Sequence, residues 1–253
     1  MKRQVDVTLN GASILTASNK IIAVRVVENP VQNEVIAETN GVLPGRNIIA
    51  QRRADLNIFV FVKIRELYDM PARMEAVNRL NTWAAAGGIL KINYRAGMQL
   101  PVKLIKPAAP GDIRDYNTEI ELLFAANGLP FWQDTSQTSK SLSTGSGSIA
   151  IPGNAPTAVD FTIICNSSVS TLTLTIAGQT LSFSGIGAQS GDTITITHDD
   201  FGRMTAKRGS VSILNKLTAL SHDCMIVPHG VQQYSFTSSG SITILTYIRG
   251  RWL

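Results

Sequence analysis

The chain has 253 residues, 44% hydrophobic and only 16% charged, with 23 Lys and Arg against 18 Asp and Glu for a net charge of +5. That balance excludes a disordered chain, which would be poor in apolar residues and rich in charge. Two cysteines are too few for a disulfide framework, and the most apolar windows, 21–27 and 58–64, are interrupted by Arg25 and Lys63 and fall short of the ~20 residues a membrane helix needs.

The opening runs from Met1 into alternating residues without an apolar leader segment, so a soluble, non-secreted protein is expected. Composition then divides the chain. Residues 1–132 hold 16 Lys and Arg, 12 Asp and Glu and seven Ser and Thr, whereas 133–253 hold 7, 6 and 36. Two domains are expected, at 1–132 and 149–253. Residues 133–148 carry one large apolar residue, Leu142, and are expected to form a flexible polar linker.

In the first domain, strands are predicted at 22–27, 58–64, 89–94, 100–106 and 118–124, forming a mainly antiparallel sheet. In the second of these, Ile58, Val60, Val62 and Ile64 alternate with Phe59, Phe61 and Lys63. One face is aliphatic and the other is aromatic in its middle, so cover on both sides is expected. A helix is predicted at about 70–86. Asp69 caps it, Pro71 suits its start, and Gly87-Gly88 ends it. Met74, Val77, Leu80 and Ala84 mark its dry face, Arg73, Glu75, Asn78 and Arg79 its wet face, and Trp83 the boundary, as core filler.

The second domain reads as short strands bounded by Gly, Asn, Ser and Asp, the pattern of a β sandwich, with no helix of useful length. Leu172, Leu174 and Ile176 alternate with Thr171, Thr173 and Thr175, and Ile194 and Ile196 with Thr193, Thr195 and Thr197. Ile242 and Ile244 alternate with a polar set that includes Ser241, Thr243 and Thr246. Threonine on the wet face suits extended backbone and keeps its hydroxyl solvated.

His222, Cys224 and His229 lie within eight residues, but no paired spacing completes a zinc set, and an isolated cysteine serves as a small hydrophobe. A Cys224 nucleophile lacks an oxyanion hole or elbow. His198-Asp199-Asp200-Phe201-Gly202 reads as a tight turn rather than a calcium loop. Gly185-Ile186-Gly187 lacks the helix and lysine of a phosphate cradle. For sugar binding, the second domain has a single tryptophan, Trp252, at its very end. The pI of about 9.4 and the cluster Arg46, Arg52, Arg53, Lys63 and Arg65 invite a nucleic-acid reading. Those cations are interspersed with acids, so Arg52-Arg53 reads as an interface or solvated pair. No catalytic, cofactor or metal site is expected, and neither a membrane nor a specific nucleic-acid partner.

The order of the pieces resembles the distal tail protein family of long-tailed, non-contractile (siphovirus-type) bacteriophages. The resemblance rests on Asp55-Leu56-Asn57-Ile58-Phe59-Val60-Phe61-Val62-Lys63, the helix with Leu80-Asn81-Thr82-Trp83, Leu90-Lys91-Ile92-Asn93-Tyr94, Tyr116-Asn117-Thr118-Glu119-Ile120-Glu121-Leu122-Leu123-Phe124, and Pro130-Phe131-Trp132. Ala155-Pro156, Ile226-Val227-Pro228-His229-Gly230 and Tyr247-Ile248-Arg249-Gly250-Arg251-Trp252-Leu253 continue it. Order and length carry it; no single motif does.

The resemblance implies a mainly β fold with one helix. An α+β ring-forming (belt) domain would be followed by a galectin-like or carbohydrate-module-like β sandwich. It implies a structural virion component of the tail tip, assembled in the host cytoplasm. The belt domain would close into a homo-hexamer ring joining the tail tube protein to the baseplate or tail-associated hub protein, and the sandwich would hold receptor-binding or other baseplate proteins. A strand apolar on both faces also suits contact between subunits, and a heterologous interface that closes makes a ring. Arg52, Arg53, Phe59 and Phe61 are therefore candidate interface residues, and Trp252 is a candidate anchor for the terminal residues. Two rival readings are a monomeric glycan-binding adhesin and a metal-assisted hydrolase using His222, Cys224 and His229.

Overall fold

The computed structural model describes residues 4–29, 33–39, 46–53, 56–65, 69–109, 119–142 and 145–253, and only the backbone of 33–39 and 46–53. The chain falls into two compact units, Met1–Phe131 and Trp132–Leu253.

The first unit contains β1 (Val7–Leu9), β2 (Ala12–Ser13), α1 (Ile14–Ala17), β3 (Ile21–Glu28), β4 (Asn33–Thr39), β5 (Arg46–Arg53) and β6 (Asn57–Ile64). After these come α2 (Met70–Ala85), β7 (Gly88–Ile92), β8 (Met98–Lys106) and β9 (Ile120–Ala126). Its sheet has the antiparallel order β2-β1-β7-β8-β9-β6-β3, and β4 and β5 form a separate two-stranded ribbon. The predicted strands all appear, with ends shifted by a residue or two; Thr118 lies outside the described residues.

The helix α2 forms as its sequence predicts. Asp69 accepts a hydrogen bond from the Ala72 amide at 3.4 Å, Pro71 sits in the first turn, and Gly87 stops the helix at φ +61°. Its dry face differs from the expected one. Arg73, Ala76, Val77, Leu80 and Ala84 are buried, while Met74 is 39% exposed. The stripe runs through i, i+3 and i+4 from Arg73, which places Met74 at its edge. Trp83 is half-buried and packs edge-on to Phe124, ring centroids 6.2 Å apart, while its indole N–H donates to the Ala12 carbonyl at 2.9 Å. Strands β1, β2, β4 and β5 went unread in the sequence, as did α1, a single turn capped by the Ser13 hydroxyl.

The second unit contains β10 (Trp132–Asp134), β11 (Thr138–Leu142), β12 (Ser146–Ile151), β13 (Thr157–Cys165), β14 (Val169–Ile176), β15 (Gln179–Ala188), β16 (Thr193–His198) and β17 (Met204–Arg208). It continues with β18 (Val211–Ser212), β19 (Ile226–Val227), β20 (Gly230–Ser238), β21 (Ile242–Ile248) and β22 (Arg251–Trp252), plus one 3-10 turn at Leu214–Lys216. Two antiparallel sheets, β11-β21-β13-β16-β17-β18 and β12-β20-β14-β15, pack into a sandwich. Phe161, Ile163, Ile194, Ile196 and Ile244 from one sheet share a core with Leu172, Leu174, Leu181 and Phe183 from the other.

Two sequence readings are corrected here. Residues 133–148 are not a flexible linker among their described positions. They carry β10, β11 and the start of β12, and β11 pairs with β21 while β12 pairs with β20. Backbone hydrogen bonds hold them where apolar side chains are scarce; Leu142 is the one residue of β11 that is buried. Thr246, expected on the wet face, is fully buried and donates to the Lys140 carbonyl at 2.9 Å. It shares parity with Ile244 and Ile248, so period two puts it inside, and the hydrogen bond offsets the desolvation of its hydroxyl.

Candidate functional site: the open face of the first sheet

Strand β6 divides its side chains between two environments. Ile58, Val60 and Val62 are fully buried and Ile64 nearly so, whereas Asn57, Phe59, Phe61 and Lys63 are half-buried on the opposite face. Phe59 and Phe61 lie nearly parallel, ring centroids 6.4 Å apart with 14° between planes. On β3, Val27 stands opposite Phe59 and Arg25 opposite Phe61; on β9, Leu123 and Glu121 take those places. Directly opposed residues of antiparallel strands share a face, so Phe59, Phe61, Val27 and Leu123 form an apolar centre.

Charges surround it. The Arg25 guanidinium carbon lies 4.0 Å from the centroid of Phe61, and Arg25 Nη2 reaches Glu119 Oε2 at 2.6 Å. The hydrogen bond that Arg25 donates to Glu119 holds the guanidinium above its ordinary proton affinity. Lys106 Nζ meets Glu121 Oε1 at 3.3 Å. Exposed pairs of this kind are screened by solvent and contribute little to stability, so their main effect is to frame the aromatic centre. An apolar centre within a polar rim is the anatomy of a protein–protein contact.

Of the four residues singled out in the sequence for this contact, Phe59 and Phe61 lie side by side on that face. Arg52 and Arg53 stand opposite Glu34 and Asn33 in the β4–β5 ribbon, and their side chains lie outside the described residues. Sequence reading missed Arg25, Val27 and Leu123. They belong to strands that only the sheet order brings beside β6, although an arginine amid the apolar run of β3 was a usable signal.

Trp252 lies within the second unit. It pairs with Trp132 across β10 and β22, and its indole N–H donates to Asp134 Oδ1 at 2.8 Å. The Leu253 amide donates to Asn154 Oδ1 at 2.8 Å, so the terminal residues finish the second unit.

His222, Cys224 and His229 are not gathered. No group of three or more His, Cys, Asp or Glu among the described residues is placed to hold a metal ion. The His222 Nδ1 instead accepts from the Thr180 amide at 3.0 Å. No helix among the described residues is long and apolar enough to cross a membrane.

No family model matches the sequence, and no curated protein matches it. Among solved structures, the chain is similar to the Dit protein of phage SPP1, described as a paradigm of the hub adsorption apparatus in phages infecting Gram-positive bacteria. The TM-score is 0.75 at 12% identity, over 98% of this chain and 99% of that one. Two chains of phage P2 baseplate structures in the activated conformation, with Ca and with Sr, align over 98% and 96% of this chain at TM-scores of 0.43 and 0.42 and identities of 10% and 9%. The chain therefore has the fold of a phage distal tail protein across both units, as the order of its motifs implied.

Proposed function

We propose that the chain is a structural component of a phage tail tip, a distal tail protein whose first unit closes into a homo-hexameric ring. The ring joins the tail tube to the host-attachment apparatus, and the sandwich offers docking ground to baseplate or receptor-binding proteins. No catalytic step is assigned to it. The observation that carries this reading is the likeness of fold to the SPP1 Dit protein over nearly the full length of both chains.

Three features of the first unit favour assembly through it. The Phe59–Phe61 face leaves an aromatic centre half-covered. Strand β3 is an eight-residue sheet edge, with Ile22 and Val27 41% and 37% exposed, and such an edge invites pairing or cover. The β4–β5 ribbon pairs only with itself among the described residues, and a lone two-stranded ribbon is at best marginally stable in water. A heterologous contact between two such surfaces, repeated around an axis, makes a ring.

Negative-stain electron microscopy of the purified full-length chain tests this. Class averages with a central opening and six-fold symmetry are expected. Particles of monomer size throughout would overturn the ring.

A further inference from the structure

The sequence holds three Asn-Gly pairs, at Asn10, Asn40 and Asn127. Asparagine is among the thermolabile residues, and a following glycine removes the side chain that would hinder attack of the next backbone nitrogen on the asparagine Cγ. That attack needs a nitrogen free to move and a side-chain amide free to meet it. Asn40-Gly41 lies outside the described residues, and the other two pairs are held in opposite ways.

Asn10 sits in the turn between β1 and β2 at φ +51°, and its side chain is committed at both ends. Oδ1 accepts from the Ile89 amide and Nδ2 donates to the Gly87 carbonyl, both at 2.9 Å. Both bonds must break before its Cγ can turn to the Gly11 nitrogen, and the hydrolysed side chain would lack the Nδ2 donor.

Asn127 lies just past the end of β9, and only its backbone is engaged. Its amide donates to the Pro101 carbonyl at 2.8 Å, which holds the chain up to this residue. Its side chain is exposed and makes no hydrogen bond among the described residues. The Gly128 amide is likewise unbonded among the described residues, and Gly128 stands at φ +125°, where a side chain would be strained. Nucleophile and electrophile are therefore both free at a point where the strand pairing of β9 has ended.

We infer that Asn127 is a site of spontaneous deamidation in the folded chain, with water as the co-reactant. Hydroxide takes the Gly128 amide proton, the nitrogen bonds to Asn127 Cγ, and the Cγ–Nδ2 bond breaks to release ammonia. Water then opens the resulting succinimide. Cleavage of the new Cγ–N bond gives Asp, whereas cleavage of the original backbone C–N bond gives isoaspartate, whose chain runs through Cγ. Nothing is oxidised or reduced. Both products put a carboxylate ahead of Leu129-Pro130-Phe131, the stretch that leads into β10, and isoaspartate also lengthens the backbone there by one carbon. The inference is independent of ring formation by the first unit.

The test is peptide mapping by mass spectrometry after the folded full chain has been kept in mildly alkaline buffer, with fresh chain digested in parallel. Trypsin places the three pairs on separate peptides, 4–20, 26–46 and 115–140. The 115–140 peptide is expected to gain the mass of an amide becoming an acid, to separate into Asp and isoaspartate forms, and to fragment with the change at Asn127. The 4–20 peptide should convert at least about tenfold more slowly, and the two rates should converge in guanidinium chloride, where the Asn10 bonds are lost. Asn127→Gln, at an exposed position, should abolish both new forms. The inference is overturned if Asn127 keeps its amide in the folded chain, if it converts no faster there than Asn10, if the change falls on Asn117 instead, or if both forms persist in Asn127→Gln.

Discussion

Trp132 and Trp252 stand opposite each other in the pairing of the first and last strands of the second unit. One opens the unit and the other lies a single residue from the chain's last position, so the two ends of the sandwich close on one contact. The Trp252 indole N–H bond to Asp134 Oδ1 and the Leu253 amide bond to Asn154 Oδ1 fix that closure.

Loss of this closure should be measurable by urea unfolding followed by circular dichroism. Trp252→Phe keeps an aromatic ring and removes the bond to Asp134, a cost of about 1 kcal/mol. Trp252→Ala also removes the packing, for a total of about 3 kcal/mol. Equal midpoints for both variants and the parent chain would deny Trp252 an anchoring role.

The two faces of β6 should respond differently to truncation. Ile58→Ala opens a cavity in a fully buried site and should cost about 3 kcal/mol. The double variant Phe59→Ser, Phe61→Ser changes half-buried rings, so its far-ultraviolet spectrum should be retained while its assembly is lost. Size-exclusion chromatography with light scattering reads the second effect; unchanged assembly would remove both rings from the interface.

Asn10 acts as a clamp between β1 and β7. It sits at φ +51°, its Oδ1 accepts from the Ile89 amide and its Nδ2 donates to the Gly87 carbonyl, both at 2.9 Å. Asn10→Ala should cost about 2 kcal/mol, and Asn10→Asp, which keeps only the acceptor, about 1 kcal/mol. A Cβ at Gly88, itself at φ +128°, would overlap the Asn10 amide, so Gly88→Ala should destabilise more than Asn10→Ala. Thermal melts order the three; a silent Gly88→Ala would show that the clamp is not needed.

Tyr94 offers a pH test. Burial, then the charge of Glu28 and its hydrogen bond with the Tyr94 hydroxyl at 3.0 Å, push the phenol up to about 12, with Arg95 acting against them. The folded chain therefore holds this proton more tightly than the unfolded one does. Its contribution to stability is complete below about pH 10 and is lost as the pH rises through about 12. In a spectrophotometric titration, the step near pH 12 should vanish in Tyr94→Phe and move down in Glu28→Gln. A step that ignores both variants belongs to another of the five tyrosines.

The sequence was most legible where burial imposes a period. Strand β6 was readable because one face is all aliphatic, and α2 because Asp69, Pro71 and Gly87 punctuate it. The α2 face was misassigned because Met74 outranks Arg73 in hydrophobicity, although an arginine stem can lie against apolar surface, and small Ala76 gives little signal. Strand β11 was illegible because a polar strand held by backbone pairing carries no alternation, and β10 because three residues are too few to show one. A cavity of about 220 Å³ in the second unit, walled in part by Asp160, His198, Asp200 and Arg249, could not be read at all. Its walls come from residues 133, 160, 198–200 and 249–251, which only the sandwich brings together.

Native mass spectrometry of the purified chain over a concentration series tests the assembly claim most directly. One discrete species of six 27.3 kDa chains, about 164 kDa, with no ladder beyond it, is the expected result for a closed ring. A monomer at every concentration, or an open ladder of sizes, would contradict it.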